Sequence, residues 1–103
     1  FSARCDITIS GGGETIKSKT QNIGIGGVCV ILNQELEKLS QVKLRLILDE
    51  LQPPIECHAR VVWMIPSKEL SSSNVHYDTG FEFTDLIPQD QDRIQSFIRK
   101  LNK

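Results

Sequence analysis

Residues Ile55–Ile65, IECHARVVWMI, decide the fold class. Ile55, Cys57, Ala59, Val61, Trp63 and Ile65 recur at every second position. A period of two belongs to an extended strand, whose side chains point alternately to opposite faces. The stretch predicts a long strand with these residues on its core face. The other face changes midway, because Glu56, His58 and Arg60 are polar whereas Val62 and Met64 are not. An apolar patch on an outer face needs a cover, and a helix is the usual one.

The cover is predicted at the carboxyl end. In PQDQDRIQSFIRKLNK, Ile94, Phe97, Ile98 and Leu101 fall at helical spacing. Pro88 suits the first helical position, although Ile87 before it is no side-chain N-cap. Asp90 and Asp92 come early and Arg99, Lys100 and Lys103 late, which matches the helix dipole. This helix is expected over Val62 and Met64. Between it and the long strand, PSKELSSSN (66–74) reads as a polar loop. VHYDTGFEF (75–83) reads as a strand with Val75, Tyr77, Thr79, Phe81 and Phe83 inward. Gly80 inside it predicts a bulge or a close approach.

Towards the amino end the period of two continues. VKLRLIL puts Val42, Leu44, Leu46 and Leu48 on one face, and the two prolines of DELQPP close that strand with a turn. Asn33–Gln41 reads as a connector with one helical turn, and Val28–Leu32 as another strand. Thr15–Ile23 is a polar strand expected near an edge. Ile7 and Ile9 alternate with Asp6, Thr8 and Ser10, and the glycines of SGGGE (10–14) predict the hairpin that joins these two strands. The total is six short strands and a terminal helix in 103 residues, one mainly β domain of barrel or tight-sandwich type spanning 1–103.

Composition narrows the function. A formal net charge of −1 argues against a duplex nucleic-acid binder. No apolar run reaches membrane-spanning length and no signal peptide is present. The three cysteines are far apart and form no CxxC, so a reducing, cytoplasmic setting is expected. Cys57 and His58 point to opposite faces of a strand and cannot share a metal ion; a buried thiol beside a surface imidazole is expected. No metal spacing and no nucleophile–base constellation is visible, so neither an enzyme nor a resident cofactor is expected. A single-strand nucleic-acid module of the OB type would need exposed aromatics on a basic groove, whereas Trp63, Tyr77, Phe81 and Phe83 all fall on inward-reading faces. The chain starts at Phe1 and not at Met, which predicts a piece of a longer protein.

The chain resembles the PilZ domain family along nearly its whole length. The marks are NIGIGG (22–27), ARVVWMIP (59–66), YDTGFEF (77–83) and PQDQDRIQSFI (88–98), in that order and spacing. The resemblance implies a six-stranded antiparallel barrel with one C-terminal helix, serving as a receptor for cyclic di-GMP. Such a receptor couples the second messenger to a neighbouring domain or partner protein.

The family grips its ligand with two elements. One is a pair of arginines four apart, ahead of the first strand; the other is Asp or Asn, any residue, Ser, any two, Gly. An arginine fork matches guanine O6 and N7, and also phosphate. Glycine lets backbone N–H groups approach closely. The second element maps to Asn22, Gly24 and Gly27, with glycine where the family has serine. For the first, Arg4 is either the second arginine, with its partner ahead of Phe1, or already strand, with both ahead of Phe1. The short gap from Arg4 to Asn22 favours the latter. Arg60, on a polar strand face, could stack on a base or meet a phosphate. The candidate ligand-binding residues are Asn22, Gly24, Gly27, Arg4 and Arg60. Without a ligand, the glycine run would be a turn needing positive φ and the arginines solvated cations. The other function is then a PilZ-like interaction module that has lost or weakened cyclic di-GMP binding.

Overall fold

A computed structural model describes residues 4–9, 15–68 and 75–101. Six strands are followed by one helix: β1 (Arg4–Ile9), β2 (Thr15–Ile23), β3 (Gly27–Leu32), β4 (Gln41–Ile47), β5 (Ile55–Lys68), β6 (Val75–Phe83) and α1 (Pro88–Leu101). Every neighbouring pair is antiparallel, and the order β1-β2-β3-β6-β5-β4 closes on itself. The barrel with one C-terminal helix is as expected. The position of β2 is not. It pairs with both β1 and β3, and a closed barrel has no edge. Its polarity comes from an outward face bathed in solvent. The glycine turn 10–14 and the loop residues 69–74 lie outside the described residues.

Small barrels are filled by their own side chains. Cys5 and Ile7 of β1, Val28, Val30 and Leu32 of β3, and Val42, Leu44 and Leu46 of β4 are buried. Ile23 of β2, Ile55, Cys57, Ala59 and Val61 of β5 and Phe81 of β6 are buried with them. Thr79 is also fully buried, and its hydroxyl donates to the Tyr77 carbonyl at 3.1 Å, which removes the cost of an unpaired polar group. Burial pushes the thiols of Cys5 and Cys57 up to about 12. The connector 33–40 contains no helical turn. Leu39 turns it with a φ of 70° and donates its N–H to the Val61 carbonyl at 2.7 Å.

Three expectations for β5 fail for one reason. The register steps from Val61 opposite Phe81 to Trp63 opposite Gly80, so β5 contributes an extra residue. Such a bulge inverts the parity of everything after it. Trp63 and Ile65 therefore lie outside, 40% and 58% exposed, while Met64 packs against the core. The strand also continues to Lys68, taking Pro66 into the pairing that sequence had given to a loop.

Helix α1 also lies elsewhere than expected. Ile94 is fully buried in the barrel core, with Phe97 and Ile98 packed beside it. Arg93 donates to the Pro53 carbonyl and pairs with Asp90 at 3.6 Å. The helix thus plugs the barrel end at the β4–β5 turn. It is not a lid on Val62, which lines an open depression instead.

The link from β6 to α1 is clasped to β5. Asp85 accepts the His58 backbone N–H at 2.6 Å and the imidazole Nδ1–H at 2.7 Å, and Thr84 N–H donates to the His58 carbonyl at 3.0 Å. The imidazole hydrogen bond, then the backbone one, hold the Asp85 carboxyl below the usual aspartate range. A folded-state value below the unfolded one means stabilisation that is complete above the ordinary range. It is lost as pH falls through the lowered value. Asp85→Ala is expected to cost about 1 kcal/mol at neutral pH, modest because both side chains are half exposed. Thermal melts of both proteins should differ by roughly 4–8 °C at pH 7. The gap should close below about pH 4 as Asp85 takes up its proton. A gap independent of pH would rule out the ionised clasp.

Candidate functional site

The register brings together residues far apart in sequence. Asn22 pairs with Cys29, Cys29 with Gly80, and Gly80 with Trp63. Directly paired residues share a face, so these make one row across β2, β3, β6 and β5 on the outside of the barrel. Two bulges frame the row. Between Thr20 and Asn22 the residue Gln21 is extra, and between Val61 and Trp63 the residue Val62 is extra. Without the first bulge, Asn22 would follow Thr20 into the core. Without the second, Trp63 would follow Val61. Bulges that re-aim a side chain are common beside functional sites.

The row floors an open depression of about 330 Å³ at the Gly24–Gly26 turn. Its lining includes Asn22, Gly24, Gly27, Cys29, Trp63 and Glu82. Gly24 N–H donates to the Gly27 carbonyl at 2.9 Å, and Phe83 N–H to the Gly26 carbonyl at 3.0 Å, so the turn is tied to β6. None of the described glycines has a left-handed φ, so backbone conformation does not demand the glycine run. Close approach demands two of them. A Cβ on Gly27 would overlap the Phe81 carbonyl oxygen, and one on Gly80 would overlap the Trp63 indole. The indole therefore lies over the Gly80 backbone, held out of the core as a flat apolar surface. A Cβ on Gly24 meets nothing within 4 Å, so a side chain fits there.

Sequence reasoning placed Asn22, Gly24 and Gly27 together, and they are together. It placed Trp63 in the core, and that is corrected by the bulge. Arg4 does not line the depression; it begins β1 opposite Lys19 and forms an ion pair with Glu50 at 3.1 Å. Arg60 lies one row from Trp63, opposite Glu82, and donates to it at 3.2 Å. Glu82, which sequence reasoning passed over, is the only charged side chain in the lining among the described residues. Cys29 sits mid-row, its thiol 3.7 Å from the Gln21 side-chain oxygen. Its pKa is raised by desolvation, then by Asp78. The shifts of all three cysteines favour the protonated thiol over the thiolate. Among the described residues no group of His, Cys, Asp and Glu could hold a metal ion, and no helix is long and apolar enough to cross a membrane.

A larger groove, about 790 Å³, separates the β4–β5 turn from α1 and includes Leu48, Glu50, Arg93 and Phe97. None of the candidate ligand-binding residues Asn22, Gly24, Gly27, Arg4 and Arg60 lines it. The family model for the PilZ domain matches residues 1–100.

The chain belongs to the PilZ domain family.

Solved structures share the fold of this PilZ domain. It is similar to the Bacillus subtilis motility inhibitor MotI/DgrA, with a TM-score of 0.75 at 23% identity over 100% of this chain and 49% of that one. It is similar to apo MrkH of K. pneumonia, with a TM-score of 0.83 at 21% identity over 98% of this chain and 46% of that one. The PilZ domain of Escherichia coli YcgR, solved with c-di-GMP, superposes with a TM-score of 0.77 at 16% identity over 98% of this chain and 82% of that one. The present chain spans about half the length of MotI/DgrA and of MrkH. No curated protein matches the sequence.

Proposed function

We propose that this PilZ domain is a cytoplasmic receptor domain for cyclic di-GMP that reports binding to a neighbouring domain or partner protein. The observation that carries the reading is the outer row of Asn22, Cys29, Gly80 and Trp63 at the Gly24–Gly26 turn. It sets an amide, open backbone and an aromatic plate around one depression. At about 330 Å³ this is the small end of ligand pockets, the size for one base of a dinucleotide. Asn22 would bond the polar edge of that base, Gly27 would let backbone approach it, and Trp63 would stack on it. The ligand of the YcgR domain supports the choice of nucleotide.

The phosphates need cations that the lining lacks. Arg60 is one row away but engaged with Glu82. β1 enters the barrel at the end that holds the Gly24–Gly26 turn, because Arg4 pairs with Lys19 and with Ile47. An arginine pair ahead of β1 would therefore reach the depression from the same end. Calorimetry on the full natural chain tests this. Cyclic di-GMP should bind one site with release of heat; no heat and no thermal shift would remove the receptor reading.

One observation favours the second reading, an interaction module with weakened binding: Gly24 stands where the family has serine. Gly24→Ser restores the hydroxyl into open space. One hydrogen bond is worth about 0.5–1.5 kcal/mol, so cyclic di-GMP should bind roughly two- to tenfold more tightly to the variant by calorimetry. Two proteins that both fail to bind would favour the interaction module.

A further inference from the structure

The candidate site holds one feature that a phosphate-bearing ligand does not explain. Its only charged lining side chain among the described residues is a carboxylate, Glu82. Charge alone makes Glu82 unfavourable beside two phosphates. A carboxylate in such a place does have one use: it accepts two hydrogen bonds from a base edge that carries two donors.

Guanine has such an edge. O6 and N7, the acceptors that arginine forks read, lie on one side of the ring. The opposite side presents N1–H and the exocyclic 2-amino group, both donors. Resting on the assignment of cyclic di-GMP to this depression, we propose that Glu82 is the specificity-determining residue for guanine. It accepts N1–H and the 2-amino group of the base that stacks on Trp63.

Three features of the site support the assignment. Glu82 is paired on β3 with Gly27, where no side chain can be present to screen the carboxylate from the depression. On the other side it is paired with Arg60, whose Nη2 donates to Oε1 at 3.2 Å. An ionised carboxylate offers about four acceptor positions, so this bond leaves capacity on both oxygens. Arg60 is then a positioning residue. It orients the carboxylate and offsets its charge, which makes a carboxylate tolerable beside an anionic ligand. Finally, Glu82 lies next along β6 to Phe81, whose backbone packs against Gly27, so its own backbone is held firmly. The remaining side-chain acceptor of matching reach in the lining is the single amide oxygen of Asn22, which cannot take both donors in parallel.

The test is a selectivity ratio. The full natural chain is titrated with cyclic di-GMP, with its inosine analogue, which lacks the 2-amino group, and with cyclic di-AMP. The inosine form keeps N1–H, so the wild-type protein should prefer guanine by roughly tenfold to a hundredfold, the worth of one hydrogen bond to a charged acceptor. In Glu82→Gln one acceptor becomes a donor facing a donor, and the preference should shrink to about threefold or less. Glu82→Ala should do the same, and Arg60→Ala should reduce the preference partway while Arg60→Lys restores part of it. Melting temperatures near that of the wild type are expected, because the Glu82 side chain is half exposed. Full guanine preference retained in both Glu82 variants overturns the role of Glu82 and leaves the receptor reading intact. So does a wild-type protein that binds guanine and inosine forms equally. A wild-type protein that binds none of the three overturns the receptor reading itself, and with it this inference.

Discussion

Gly27→Ala is expected to lower the melting temperature by on the order of 15 °C. A Cβ at this position would overlap the Phe81 carbonyl oxygen and come within 3.1 Å of its carbon and 3.3 Å of the Glu82 Cα. All three are main-chain atoms of the paired strand, and none can swing aside as a side-chain end would. β3 would have to part from β6 at the Gly27–Glu82 pair, next to the Phe83–Gly26 hydrogen bond of 3.0 Å. Overpacking costs about 1–3 kcal/mol where neighbours can adjust, and here they cannot, so the upper end applies. At about 100 residues each kcal/mol moves the midpoint by roughly 4–8 °C. Gly26→Ala is the control, since a Cβ there meets nothing within 4 Å. Thermal unfolding followed by circular dichroism separates the two variants. Equal midpoints would mean that the strands do not approach as closely as described.

Trp63→Ala is expected to weaken cyclic di-GMP binding about 5- to 150-fold, the equivalent of about 1–3 kcal/mol of base stacking. Its effect on folding should be smaller, because the indole is on the outer face and 40% exposed. Trp63→Phe keeps a plate of smaller area and should fall between. Trp63 is the single tryptophan of these 103 residues, so the emission lost in Trp63→Ala is the signal of this site. Titrating cyclic di-GMP should change the emission of the wild-type protein with the same midpoint that calorimetry gives. Unaltered affinity in Trp63→Ala would place the base elsewhere on the barrel.

These two residues also mark how far local pattern reaches. The strands, their order along the chain and the terminal helix were legible because periods of two and of 3.6 are local properties. The inward faces of β4 and of the first half of β5 were legible for the same reason: Val42, Leu44 and Leu46 and Ile55, Cys57 and Ala59 are all buried as their alternation requires. The motif residues Asn22, Gly24 and Gly27 could be placed in one turn because they are neighbours in the chain.

What alternation could not foresee was the change of parity at Gln21 and Val62. A bulge satisfies two strands at once, so its cause lies in the partner as much as in its own sequence. Gly80, noted from sequence as a point of close approach, was the one local trace, but it sits on β6 and the extra residue on β5.

Sequence by itself therefore determined a six-stranded mainly β domain with a closing helix, and where along the chain its glycine turn falls, since periodicity and turn chemistry are written in consecutive residues. Only the tertiary structure decided that Asn22 and Trp63 face outward on one row, that Glu82 of the next row lines the same depression, and that α1 plugs the barrel end. Each of those depends on cross-strand register, which is set by the packing of distant segments against one another and by no single stretch of the chain.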